Sequence, residues 1–176
     1  MSNPTGASML AVWRLHDEIG RKLVAAISAK GMRAVPPGSR GRSVGAQLAH
    51  CARVRIGWLN YHRTGRRPAK GEVAVPESAD RRRLRSLLAA TGREVAEHVE
   101  LALRGEARVR MFGGDPLRWL TYLIAHESHH RGQIALALKQ NGMRLPEEVA
   151  MKTLWGSWMS AGPDPRGKSR RGRRSR

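Results

Sequence analysis

The chain is poor in cysteine, in aromatic residues and in acid. One cysteine, Cys51, stands among 176 residues, so no intrachain disulfide can form and no cysteine-rich zinc framework exists. Any metal site must therefore use histidine and carboxylate. Aromatic residues make up only 5% and the tryptophans fall largely on helical faces, so no stacking track for single-stranded nucleic acid is evident. Fourteen acidic residues oppose thirty-three lysines and arginines, a formal charge of +19, which attracts polyanions in general but names no partner. No run approaches the ~18 uncharged apolar residues of a membrane span, and the first residues lack the basic-then-apolar order of a secretory leader. These absences predict a soluble, cytoplasmic protein with no membrane partner.

Strand-like alternation is missing too, and a three- and four-residue apolar period takes its place. Between Ser8 and Lys30 it runs through Leu10, Trp13, Ile19, Leu23 and Ile27, with Gly31 where a helix would stop. After the loop Val35 to Gly41, Ser43 caps a second helix to Arg63 that turns Val44, Leu48, Cys51, Trp58 and Leu59 to one side. A Gly-, Pro- and Arg-rich connection from Thr64 to Pro76 leads to a third helix, Ser78 to Arg104, which Gly92 interrupts and is expected to kink. Asp115 as N-cap and Pro116 at the first helical position open a fourth helix to Gln140, where Asn141 and Gly142 end it. A short fifth helix follows from Pro146 through Trp155 and Trp158.

The pattern predicts an all-α fold: a four-helix bundle with a short fifth C-terminal helix. Residues 1–162 form one domain, and residues 163–176 form a disordered basic tail with seven basic residues and one acid. The tail accounts for +6 of the charge, so the bundle keeps +13.

Three of the seven histidines crowd into the fourth helix as His126, His129 and His130. At ~100° per residue, His126 and His130 differ by roughly 40° in azimuth and one turn in height, so their rings can meet at one point. Their side of the helix also carries Trp119, Leu123, Ile134 and Ala137, so the pair is expected to face the bundle interior. His129 points elsewhere. Two interior imidazoles need partners, and a divalent cation satisfies both. His50, beside the apolar stripe of the second helix, is the candidate third ligand from a facing helix. Three neutral imidazoles leave positions open for water or substrate, as in catalytic sites. Tyr122, Glu127, Arg131 and Gln133 are candidate pocket residues or supports of the ligands. His16 and His62 read as solvated or loop-flanking, His98 as surface, and Cys51 as a buried thiol.

At Gln47-Leu48-Ala49-His50, with Trp58 following, and at His126-Glu127-Ser128-His129-His130-Arg131-Gly132-Gln133-Ile134, the sequence resembles the DinB/YfiT-like superfamily. These are four-helix-bundle metalloenzymes named for damage-inducible proteins. The resemblance spans Ser8 to Met159 and implies a divalent metal on His50, His126 and His130; zinc and nickel both suit such an imidazole set. It also implies a homodimer and a small-molecule substrate. Members with assigned chemistry transfer or isomerise through a low-molecular-weight thiol such as bacillithiol, mycothiol or glutathione, so the implied activity is a thiol S-transferase or a related isomerase or hydrolase.

Two other functions compete. His126-Glu127-x-x-His130 also satisfies the H-E-x-x-H pattern of zinc peptidases, in which the glutamate activates water. Glu127 lies ~100° from His126 in azimuth, however, beside Leu120 and Leu138. A non-enzymatic nucleic-acid or polyanion binder would use Arg66, Arg67, Arg81, Arg82, Arg83, Arg85 and the tail, with steep salt dependence.

Overall fold

The computed structural model describes residues 4–68 and 80–160. Within them the chain forms α1 (Pro4–Ala26), the short α2 (Ala29–Met32), α3 (Val44–Thr64), α4 (Arg81–Leu103), a 3-10 turn (Phe112–Gly114), α5 (Pro116–Gln140), a π-helical stretch (Glu148–Trp155) and α6 (Gly156–Ser160). No strand occurs among the described residues. The tail from residue 163, the expected helix start at Ser78 and the connection from residue 69 to Pro76 lie outside them.

Local chemistry sets the helix ends. Ser43 Oγ accepts from the Ala46 N–H at 3.2 Å and Asp115 Oδ1 from the Leu117 N–H at 2.8 Å, satisfying amides that the first turn leaves without carbonyls. Asp80 does the same for α4, accepting from the Arg83 N–H at 2.9 Å. Gly65 closes α3 in the left-handed region, φ 77°, where a β-carbon would be strained. The C-terminal segment departs from the expected single helix: it winds as a π-helix over Glu148–Trp155 before α6.

Helices α1, α4, α3 and α5 form a ring in that order, each packed on the next. Two apolar clusters fill it. One gathers Ile19, Leu23, Val44, Leu48, Leu84 and Ile134; the other gathers Trp13, Leu59, Val95, Trp119 and Leu123. The chain order of these residues shows that α1 and α5 run one way and α3 and α4 the other.

A charged layer separates the clusters. Arg55, 1% exposed, donates from Nε and Nη2 to Glu127 at 2.6 and 2.7 Å, and from Nη1 to Asp17 at 2.7 Å and the Leu88 carbonyl at 2.9 Å. One α3 side chain thus joins α1, α4 and α5. Its guanidinium also lies 4.7 Å from the Trp13 ring centre. Gly92 belongs to this layer rather than to a kink, since α4 runs unbroken through it. A β-carbon there would stand 2.5 Å from Asp17 Oδ1, so glycine is what lets α1 and α4 approach at the charged layer. The Gly92 carbonyl accepts from Trp13 Nε1 at 2.9 Å.

Candidate metal centre

His50 on α3 and His126 and His130 on α5 meet across the groove between two antiparallel helices. Each offers one ring nitrogen such that all three lie within 4.8 Å of one another. Ring centres are 5.2 Å apart for His50 and His126, 5.0 Å for His50 and His130, and 4.7 Å for His126 and His130. The interplanar angles are 60°, 77° and 72°. Lone pairs lie in the ring planes, so rings set edge to face can aim their lone pairs at a common point. Zinc–nitrogen bonds of ~2.0–2.1 Å in tetrahedral geometry put ligand nitrogens ~3.4 Å apart, a closure within reach of small side-chain rotations.

Two further observations fit a cation here. His126 Nδ1 is buried with no hydrogen-bond partner among the described residues, and a buried polar atom without a partner is costly. His130 Nδ1 donates to Gln47 Oε1 at 3.3 Å, which fixes the tautomer and leaves Nε2 as the lone-pair nitrogen. The Gln47 amide is itself held by the Arg42 carbonyl at 3.5 Å.

All three imidazoles are biased towards the neutral, metal-binding form. Burial, then Arg42 and His130, lower the pKa of His50 to about 4. Burial leads for the others as well, followed for His130 by the neighbouring His126. The trio is not wholly interior, however: His130 is buried, while His126 and His50 are half-buried. The expectation that the pair faces the core holds for His130 and is met only in part at His126.

The other candidates separate. Tyr122 stacks on His126, with ring centres 5.8 Å apart at 25°, and belongs to the site. Arg131 is half-buried and donates to Ser128 Oγ at 2.9 Å; it lines a small cavity with His130, Glu127 and Cys51. Gln133 is exposed and pairs with His129 Nε2 at 2.9 Å, while its side chain also opposes the lowering of the His130 pKa.

Glu127 turns into the charged layer. Oε1 accepts from Arg55, and Oε2 accepts from Arg55 and from His16 Nε2, the last at 3.0 Å. Burial alone would raise its pKa, but Arg55 and His16 hold it down at about 2. A carboxylate so engaged does not activate water at the imidazoles, and the peptidase interpretation loses its base. Cys51 is buried as expected, and burial followed by the Glu127 charge pushes its thiol up to about 12, which makes it inert as a nucleophile.

Three histidines expected at the surface are buried: His16 at 1% exposure, His62 at 1% and His98 at 5%. His62 Nδ1 accepts from the Arg110 N–H at 3.1 Å, and His98 Nε2 donates to the Arg108 carbonyl at 3.1 Å. Their partners come from the loop after α4, which helical periodicity does not place. Gln47 was visible in the sequence only as part of a motif; its role needed the contact with His130.

Fold and site together define a helical bundle with a three-histidine centre between two antiparallel helices. The chain belongs to the DinB family, whose model matches residues 1–163. No curated protein matches it. No helix among the described residues is long and apolar enough to cross a membrane.

Proposed function

We propose that the protein is a metalloenzyme in which His50, His126 and His130 hold one divalent ion, zinc or nickel, for transfer chemistry on a low-molecular-weight thiol. The observation that carries this is the convergence of three edge-to-face imidazoles from two helices, two of them only half-buried. Imidazole is a borderline ligand that suits either metal. No carboxylate joins the three nitrogens among the described residues, so a bound ion would keep its full positive charge. Arg42 and Arg53 add positive potential at His50. Both features favour an anionic ligand such as a thiolate over a neutral donor. The ion's contribution would be to lower the thiol pKa so that a nucleophile exists near neutral pH. Of the chain's own residues, Gln47 fixes the His130 ring and Tyr122 covers one face of His126.

A cytoplasmic setting, where such thiols stay reduced, suits this role. A homodimer goes with it: Trp158 packs against the core cluster, whereas Trp155, Met151 and Met159 remain 64%, 54% and 79% exposed and offer an apolar face. Sedimentation of wild type and Trp155→Glu checks this, with a shift to monomer expected in the variant.

The functional test is element analysis of protein purified without chelator or nickel resin, beside His126→Ala and His130→Ala. Stoichiometric metal in the wild type, lost in both variants while they still melt cooperatively, is expected. Wild type without metal overturns the proposal. With metal present, glutathione should perturb the visible spectrum of cobalt-substituted protein and support turnover against a panel of electrophiles; metal without thiol-dependent change would leave a metal-binding bundle only.

A further inference from the structure

Next to the histidines, the same groove widens into a pocket of about 260 Å³ lined by Val54, Gly57, Trp58, Tyr61, Arg67 and Tyr122. We propose that this pocket binds a small aromatic anion, with its ring against the wall formed by Trp58, Tyr61 and Tyr122 and its charge on Arg67. Its service as the site of the second substrate rests on the metal proposal above; the binding itself does not.

Helix periodicity places the pocket beside the metal centre. On α3, His50, Val54, Gly57 and Tyr61 follow at steps of four, three and four, so they share one face. From His50 to Gly57 the rise is ~10 Å at ~1.5 Å per residue. On the antiparallel α5, Tyr122 lies one turn before His126 and stacks on it. The pocket is therefore a continuation of the groove, within reach of a molecule only a few bonds longer than its ring.

Three features look built for a ligand. Gly57 sits mid-helix, where glycine destabilises a helix relative to alanine, and a β-carbon there would meet nothing within 4 Å. No packing demand requires the glycine, and it lines the pocket, so a larger side chain there would compete with a ligand for space. Arg67 lies over two rings, 5.8 Å from the Trp58 centre and 5.6 Å from the Tyr61 centre. None of the ion pairs among the described residues engages it, so its donors remain available to a carboxylate.

The third feature is Phe112, the one non-glycine residue with positive φ among the described residues, at 58°. That conformation is strained for a bulky side chain. It holds the Phe112 ring 4.8 Å from Trp58 and 5.1 Å from Tyr122, bracing two pocket walls. The volume matches a ligand of one or two rings, below the range of drug-sized sites.

The test is titration calorimetry on chelator-treated protein with 2-naphthoate and its neutral analogue 2-naphthylmethanol. Both should bind, the anion about tenfold more tightly, as expected for one charge-assisted contact. Arg67→Gln should erase that difference without weakening the alcohol. Gly57→Leu should abolish binding of both while melting no lower than wild type and leaving the metal content of untreated protein unchanged. Gly57→Ala gives a smaller loss and serves if the leucine variant does not fold. Arg85→Gln, an exposed charge elsewhere, should change nothing.

Wild-type binding of neither probe overturns the proposal. So does unchanged binding in Gly57→Leu, or an equal loss in Arg67→Gln and Arg85→Gln, which would assign the affinity to the general positive field. Naphthoate binding in a protein that proves to hold no metal would sustain the pocket while ending the metal proposal.

Discussion

Two sets of histidines occupy this bundle, and burial does not tell them apart. His62 and His98 are at least as buried as His50 and His126, and His62, like His50, has a pKa lowered to about 4 chiefly by burial. Unpartnered nitrogen does not separate them either, since His62 Nε2 and His16 Nδ1 are orphaned just as His126 Nδ1 is. The difference is orientation. His62 and His98 stack at 23° with centres 5.8 Å apart, so their in-plane lone pairs run side by side and share no focus. The His50, His126 and His130 rings cross at steep angles, with one nitrogen of each within 4.8 Å of the others, so their lone pairs can be aimed at one point. A candidate metal centre is thus distinguished by where lone pairs can point, and a depressed histidine pKa alone identifies only a dry environment.

The largest effect that sharpens this contrast comes from the charged layer, which should serve stability without serving the metal. Arg55→Met leaves Glu127 and Asp17 buried without their cation and is expected to cost about 3–5 kcal/mol, read from denaturant unfolding. The fraction that remains folded should bind metal as wild type does. Loss of metal in that folded fraction would show that the layer and the centre are one system, joined through His130 and the cavity it shares with Glu127.

A smaller effect is expected at Gln47. Gln47→Leu keeps three ligands but frees the His130 ring, and metal affinity should fall about 10- to 100-fold with little change in unfolding midpoint, as competition with a chromophoric chelator would show. An unchanged affinity would mean that the ring is held by packing alone.

The mildest expected effect is one of pH. Unfolded, His62 titrates near its ordinary 6.5, whereas in the fold it titrates at about 4, because of burial first and then His98 and Arg110. The unfolded chain therefore takes up the proton first. Stability from this residue is complete above pH 6.5, is lost as pH falls towards 4, and changes no further below. Urea midpoints measured across that window should decline, and His62→Phe should make the decline shallower, with His50 and the other histidines of lowered pKa supplying the remainder. A slope unaffected by that substitution would place the titrating group elsewhere.

The helices were legible because their causes are local. Ser43, Asp115 and Pro116 mark starts that the structure keeps, and the apolar positions predicted inward on α1 and α5 are buried. The i, i+4 spacing of His126 and His130 carried half of the candidate centre for the same reason. Less legible was any side chain whose neighbours come from another part of the chain. His16 sits in a polar stretch of α1, yet Glu127 and Trp158 close over it. Gly92 looked like a helix defect and proved to be a passage for Asp17.

The sequence by itself determined the four long helices, the shared face of two imidazoles, and the seclusion of Cys51, since periodicity and end-capping act within a few residues. Only the tertiary structure decided that His50 completes the trio, that Glu127 serves Arg55 rather than the groove, and that Arg67 stands over aromatic rings. Those outcomes depend on which helix faces come together and in which direction they run, and residues tens of positions apart carry no local signal of that choice.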